Sequence, residues 1–446
     1  MRTKPASAQS QAYGFSQAVE QLIPAARLDE ASRYKDSARG RPPKLSVSQL
    51  VRALVFHVMM GAGTLIEHLA MLSRIELSGS SASERRQTLP WEVFARILDL
   101  ALSPLAQESQ HRQAFYQGLR LVAIDGTQFS LVNTPQILKT CTKAAARRLK
   151  AAFAKLNAVV MLEIGLHNPL AAAIAPGKSE WALALELIGK LPARSLLLAD
   201  RLYGCARFVW GLLGHCEQVG SFFLVRARLQ LQSTVVRRLT DGSAIVRIPL
   251  RAASGRRKIE RYFELREIWV RIQRPGFRAQ RLRLWTNLWD AEAYPAQALA
   301  RLYTQRWEQE LYYRQMKLEL RRSELLQSQT VTTAAQEVAA LVLATALIAK
   351  ERAQAAAGEV AALRLSFIKV LELLRPLWLV FALGEEILSP RQKRQLVDRF
   401  YSQLRTMITG KRRSRSCPRV VRQPVRGWPR KTKNISYEGE VAYKIL

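Results

Sequence analysis

Two apolar runs constrain this chain more than any other feature. LRLVAI at 119–124 leads into Asp125, and SLLLA at 195–199 leads into Asp200. Each is a short, nearly unbroken apolar segment, the pattern of a strand buried on both faces, and each predicts a strand that ends in a carboxylate. Between them lie strand-like runs at 157–166 and 169–175, separated by the turn residues His167, Asn168 and Pro169. Pro176–Gly177 breaks the chain before a helix expected at about 180–189, and a helix to about Leu213 follows Asp200.

The order is strand with Asp, two strands, helix, strand with Asp, helix. A ribonuclease-H-like α/β sheet requires that order, and it would place Asp125 and Asp200 on neighbouring strand ends. Taken singly, an aspartate at a strand end is also an ordinary turn or capping residue. Alternation resumes at 244–250, 262–272 and 279–286, with turns at Asp241–Gly242 and Pro275–Gly276. It predicts an inserted antiparallel β subdomain over 221–295, its arginines on the wet face. Asp200 is too far from the next acidic candidate for a simple loop.

That candidate lies in LYTQRWEQELYYRQMKLELRR, Leu302 to Arg322, expected to be one helix. Tyr303, Arg306, Glu310 and Lys317 sit at offsets 0, +3, +7 and +14. At about 100° per residue they fall within roughly 60° of arc on one face. Arg314 extends the stripe, and Glu308 points away. An amphipathic helix with i, i+4 ion pairs would look the same.

Around this core, 1–44 is read as a polar basic arm and 45–112 as a helical unit, with Ser46 and Gln49 forming a capping box. Arg85 and Arg86 are its candidates for DNA contact, although helical bundles without that role look alike. Core segments are expected at 118–220 and 296–330. Helices at about 333–357, 359–375, 377–386 and 389–409 fill 331–410, and 411–446 is a basic tail. The stretch 411–433, with ten cations and no acid, is expected to be disordered when unbound.

Lys+Arg number 69 against 35 Asp+Glu, a formal net charge of +34. That excess points to a polyanion, most simply nucleic acid. No acidic residue occurs from Gly126 to Leu162, while Lys139, Lys143, Arg147, Arg148, Lys150 and Lys155 fill the interval. The stretch suits a wall for a phosphate backbone; a solvated basic helix is the plain alternative. No run reads as a membrane span, and the N-terminus lacks an apolar signal core, so a cytoplasmic, nucleoid-associated protein is expected. Cys141, Cys205, Cys216 and Cys417 show no CxxC pairing and read as free thiols.

The spacing Tyr-x2-Arg-x3-Glu-x6-Lys resembles the signature helix of the DDE transposases of the insertion-sequence-four family. VAIDGT resembles that family's first-Asp motif, and LLADRLY its second, with Leu202 where Gly is usual. WTNLWDAEAYPAQALARLYTQRWEQELYYRQMK looks like the last strand of the insertion running into the signature helix. The resemblance covers about 118–325. It implies a ribonuclease-H-like core and cut-and-paste movement of an insertion sequence, with Asp125, Asp200 and Glu310 as catalytic carboxylates.

It further implies that Tyr303, Arg306 and Lys317 contact DNA phosphates near the cleaved end. Arg314, Arg201, Arg147 and Arg148 are added as DNA-binding candidates, and Trp285 and Trp289 as candidates to stack on a flipped base. Phosphodiester chemistry is served by two Mg²⁺ ions, Mn²⁺ substituting, and hard cations take carboxylate oxygens. Asp125 would bridge them, with Asp200 and Glu310 completing one site each. Expected partners are double-stranded DNA, as terminal inverted repeats and target, and a second copy of the chain in the DNA complex. A ribonuclease-H-like nuclease without strand transfer, and a DNA-binding relic without catalysis, remain the alternatives.

Overall fold

A computed structural model describes residues 15–32, 44–145, 150–252, 258–273, 279–321, 323, 325–356, 359–384, 386–410, 415–416, 437–438 and 441–446. The chain forms two compact units. One comprises Met1–Leu191 with Glu308–Thr409, the other Pro192–Trp307 with Gly410–Leu446.

The first unit joins a helical bundle to three long antiparallel strands and shorter strands beside them. Strand β1 (Leu119–Leu131) pairs along ten residues with β2 (Lys150–Glu163), Asp125 opposite Val160. Strand β3 (Asn168–Ile174), buried along its whole length, lines the other edge of β2. Asp125 therefore sits inside its strand and not at the end. Pairing continues through Gly126 and Thr127 because Phe129 and Leu131 resume the alternation and are buried. The cationic interval that follows is helix Pro135–Thr140, a short strand Lys143–Ala145 and the start of β2.

The bundle is organised on Val331–Ala356, a helix apolar nearly all round and buried for most of its length. By length and composition it is long and apolar enough to cross a membrane. Here it is the central core helix, packed against Val47–Met60 and Trp91–Ala101. The capping box at Ser46 and Gln49 forms as expected. The expected arm 1–44 instead contains helices Phe15–Leu22 and Ala25–Ser32. Ala18, Val19, Ile23, Leu28 and Ala31 are buried, since together they offer a continuous apolar face that a polar average conceals. Helix Gly79–Thr88 starts on the Ser78 cap, whose side chain accepts the Ser81 N–H. The segments expected at 359–375 and 377–386 are one helix, Phe367–Gly384, with Pro376 inside it.

Arg85 and Arg86 are taken up within this unit. The Arg85 Nε donates to the Leu45 carbonyl at 3.1 Å. Arg86 donates to Gln336 Oε1, the Thr333 carbonyl and Ser328 Oγ at 3.2–3.4 Å, bracing Gly79–Thr88 against the central helix. Nearby, His57 and His68 meet Nδ1 to Nδ1 at 3.0 Å. Burial first, then His68 and Arg86, lower the His57 pKa from 6.5 to about 4. The cation is thus disfavoured in the fold. This stabilisation is full above pH 6.5 and is lost as pH falls towards 4. Allowing for solvent screening of a partly exposed ring, about 2 kcal/mol should be lost. Urea midpoints at pH 7 and pH 4.5 check this, and His57→Gln should flatten the difference.

The second unit holds a mixed sheet. Strand β4 (Ser195–Ala199) pairs in parallel with β5 (Phe222–Arg226), and helix Ala206–Val219 connects them. Strands β6 (Thr234–Arg238), β7 (Ala244–Arg251), β8 (Ile259–Gln273) and β9 (Gln280–Thr286) form an antiparallel series. They pair in the order β6–β7–β8–β9, and β9 returns to β5. The strand leading into Asp200 is thereby hydrogen-bonded through β5 into the β-rich sheet, so the compact units divide at 191/192 and 307/308 where boundaries at 220/221 and 295/296 were expected. Gly242, at φ +85°, turns the hairpin expected at Asp241–Gly242; Pro275–Gly276 lies outside the described residues. Strand β10 (Ala442–Ile445), from the expected basic tail, pairs antiparallel with β8. Most of 411–433 lies outside the described residues.

Leaving aside the short helix Pro135–Thr140 and the two- and three-residue strands, three antiparallel strands, a helix, a strand leading to Asp200, a helix and a parallel strand follow one another along the chain. This is the element order of a ribonuclease-H-like core, and the chain is an α/β protein built on mixed strand pairing.

Candidate active site

The stretch expected as one α-helix is three segments. Tyr303–Trp307 is a 3₁₀ turn, Glu308–Arg314 is α-helical and Gln315–Leu320 is a π-helix. Turns of different pitch break the 100° spacing on which a single stripe rests. Tyr303 and Arg306 belong to the second unit, Glu310 and Lys317 to the first.

In the first unit, β1 supplies Asp125 and the α-helical segment supplies Glu310. Two side chains flanking Glu310 fasten that segment to the strands. Tyr313 donates its hydroxyl to the Asp125 carbonyl at 2.6 Å and accepts the Val160 N–H at 3.3 Å. Gln309 Nε2 donates to the Val160 carbonyl at 3.3 Å. Burial, with the charge of Asp125 next, pushes the Tyr313 phenol far above its usual range, so it stays a donor.

A second fastening lies at the β2–β3 turn. Glu308 Oε2 accepts the Gly165 N–H at 2.7 Å, and Gln315 Oε1 meets His167 Nδ1 at 2.9 Å. Burial raises the Glu308 carboxyl to about 7. Asp125 Oδ1 accepts the N–H of Gly126 at 2.9 Å. Lys317 Nζ donates to the Gln128 carbonyl at 2.7 Å and lies over the Phe129 ring. Burial, with Arg321 and Lys155 beside it, brings its pKa down to about 8.

In the second unit, Asp200 follows β4 directly. Its Oδ1 is buried and accepts no hydrogen bond among the described residues, with Arg226 Nη1 4.0 Å away. The turn after it is tight, because the Tyr203 N–H donates to the Asp200 carbonyl at 3.0 Å. Leu202, standing where Gly is usual, has no positive φ and lies at an exposed corner of the turn. The glycine the turn does require is Gly204, where a Cβ would stand 2.0 Å from the Arg226 carbonyl. Tyr303 is buried and donates its hydroxyl to the Ala199 carbonyl at 3.2 Å. Burial pushes that phenol well up, Arg306 and Arg226 opposing and Asp200 adding to it. The second unit thus gathers Asp200, Arg226, Tyr303 and Arg306.

Other candidates fare differently. Arg201 and Arg314 are exposed. Arg147 and Arg148 lie outside the described residues. Trp285 is fully buried, its Nε1 donating to Glu267 Oε2 at 2.8 Å, so it is a core residue and offers no face to a base. β-Strand alternation turns it inward while Trp289, past the strand end, is 46% exposed. Tyr313, Gln309 and Arg226 are the residues the sequence reading did not single out. Tyr313, three residues after Glu310 on a helix, is the one whose spacing could have flagged it.

Carboxylate oxygens are the donors Mg²⁺ takes, and the buried Oδ1 of Asp200, which accepts no hydrogen bond among the described residues, suits a cation ligand. Among the described residues no three His, Cys, Asp or Glu side chains form a ready-made metal group.

Among known proteins, the chain is 27% identical over 273 residues to the transposase InsG for insertion sequence element IS4 of Escherichia coli (strain K12). That match covers 60% of this chain and 60% of the length of that relative. A solved chain of the piggyBac transposase synaptic complex with hairpin DNA aligns over 88% of this chain and 85% of its own, with a TM-score of 0.47 and 11% identity. The family described as Transposase DDE domain matches residues 116–347, from just before the strand bearing Asp125 into the central core helix. The chain belongs to the DDE transposase family.

Proposed function

We propose that this chain is an insertion-sequence transposase that cuts DNA at terminal inverted repeats and joins the cut ends to target DNA. The observation carrying this reading is that Asp125 lies in the first strand of the ribonuclease-H-like succession and Asp200 directly follows the fourth, in a chain whose family match spans both. Asp125, Asp200 and Glu310 would hold two Mg²⁺ ions, with Mn²⁺ as substitute. When bound, such ions acidify the attacking water or 3′-hydroxyl and offset charge on the leaving oxygen.

The chain's own residues have distinct tasks in this reading. Tyr313 and Gln309 hold the Glu310 segment against the Asp125 strand. Arg226 puts positive charge beside Asp200 and Arg306 beside Tyr303, where a scissile phosphate would lie. Arg314 and Arg201, exposed, hold flanking phosphates. Tyr303 and Lys317 act through the carbonyls they bind as much as through DNA. A homodimer would pair two ends, in the cytoplasm, on nucleoid DNA.

The test is incubation of the full chain with end duplexes, target plasmid and Mg²⁺. Joined products are expected. Hydrolysed ends without joining would replace this reading by a nuclease, and binding without nicking by a relic. Arg314→Ala should lower the salt slope of end binding by about one phosphate contact. Filter binding between 50 and 200 mM salt checks it, and an unchanged slope removes Arg314 from the interface.

A further inference from the structure

Strand β4 ends at Ala199, and its pairing with β5 ends there too, opposite Val225. The turn that follows Asp200, from Arg201 to Gly204, therefore lies beyond the strand ladder. The outgoing end of β5 closes on it instead. The Arg228 N–H donates to the Gly204 carbonyl at 3.2 Å. Arg228 Nη2 donates to the Leu202 carbonyl at 3.2 Å, and its Nε to the Arg201 carbonyl at 3.5 Å. One residue thus binds the carbonyls of Arg201, Leu202 and Gly204. Gly204 lies so close to the same segment that a Cβ there would stand 2.8 Å from the Ala227 Cα.

Arg228 is in turn held from the antiparallel part of the same unit. The Ala227 N–H donates to the Arg283 carbonyl at 2.8 Å. Buried Arg283 donates through Nη1 to the Arg228 carbonyl at 3.3 Å and the Leu231 carbonyl at 2.6 Å. Its Nε donates to Glu267 Oε2 at 2.7 Å and its Nη2 to Ser233 Oγ at 2.6 Å. A guanidinium presents its donors in a rigid planar fork, so each acceptor it binds is fixed in direction as well as distance. A chain of hydrogen bonds therefore runs from Glu267 through Arg283 and Arg228 to the turn beside Asp200.

We infer that Arg228 is a positioning residue for Asp200, and that strands β6–β9 serve the active site by holding the segment that carries Arg228. This rests on the reading of Asp200 as a metal ligand. The buried Oδ1 of Asp200 accepts no hydrogen bond among the described residues, so the backbone sets where that oxygen sits. A metal-directed group must be kept within about 0.5 Å of its working position. Asp200 stands one residue past its strand, and the bonds from Arg228 supply that constraint on its outgoing side. The Arg228 side chain is spent on these carbonyls, so it acts through the turn and not through a phosphate.

The test is amide hydrogen exchange on the full chain, with the Mg²⁺ dependence of end nicking measured on the same preparations. In Arg228→Ala the amides of 201–205 should exchange about tenfold faster than in wild type, while those of β8 keep their protection. The Mg²⁺ requirement for nicking should rise about tenfold, the scale on which groups supporting a metal site act. Arg228→Lys, which keeps a donor, should recover part of both changes. The salt slope of end binding should stay as in wild type, whereas loss of a phosphate contact would lower it by about one. If Arg228→Ala keeps the wild-type exchange or the wild-type Mg²⁺ requirement, Arg228 does not position Asp200. A lowered salt slope with unaltered exchange makes it a DNA contact instead. If Asp200→Asn nicks as wild type does, the reading of Asp200 fails and this inference with it. If Asp200→Asn is inactive while Arg228→Ala is unaltered, that reading stands and only the role of Arg228 falls.

Discussion

Replacing Asp125 by alanine is expected to slow end cleavage by at least about 10³-fold, equivalent to about 4 kcal/mol of transition-state stabilisation. On the proposed reading Asp125 is a metal ligand, and its loss would remove the charge stabilisation the ion supplies. The fold should survive, because the contacts fixing this stretch are made by backbone. The Asp125 carbonyl, not its carboxylate, receives Tyr313, and the pairing with Val160 is main-chain. DNA binding should hold or tighten, since a negative charge leaves a site facing phosphates. Asp200→Ala and Glu310→Ala should act alike. Gel assays of nicking and of end binding on the same preparations measure both quantities. A variant that nicks at the wild-type rate excludes its residue from the catalytic set.

Glu267→Ala should destabilise the second unit by about 3–5 kcal/mol, the cost of stranding a buried charge. The Glu267 carboxylate is buried and accepts four donors. They are Trp285 Nε1 at 2.8 Å, Trp269 Nε1 at 2.7 Å, Arg283 Nε at 2.7 Å and Ser233 Oγ at 3.4 Å. Arg283 is itself buried, donating also to the Arg228 and Leu231 carbonyls, with its guanidinium over the Trp285 ring. Removing the carboxylate leaves two indole N–H groups and a guanidinium short of their acceptor. At about 2–4 °C per kcal/mol for a unit of this size, the melting temperature should fall by roughly 10 °C. Glu267→Gln, which keeps an acceptor, should cost less than half as much. Calorimetry decides, and a fall under about 3 °C would mean that the network is dispensable.

Legibility from residue order varied with the kind of interaction involved. The runs through Asp125 and into Asp200 are strands because unbroken apolar segments have few other places to go, and the alternation at 244–250 and 262–272 likewise marks strands. Helices Phe15–Leu22 and Ala25–Ser32 were concealed within a polar composition, since what counts is the apolar face and not the average. Trp285 read as a stacking candidate because position near a motif says nothing about burial, and Glu267 lies 18 residues away in sequence. Strand β10 was equally hidden, for a four-residue strand gains its stability from the edge of β8 and carries little pattern of its own.

The helix signature shows the division most clearly. Residue order determined which side chains are present, their spacing, the element order of the core and the cationic character of the whole. Only the tertiary structure decided that the spacing is carried by 3₁₀, α and π turns in succession, that Tyr303 and Lys317 spend their polar groups on backbone carbonyls, and that Arg228 reaches the turn beside Asp200. The reason is physical: local order sets which hydrogen bonds a segment can make with itself. Contacts between residues far apart in the chain exist only once packing has brought them together.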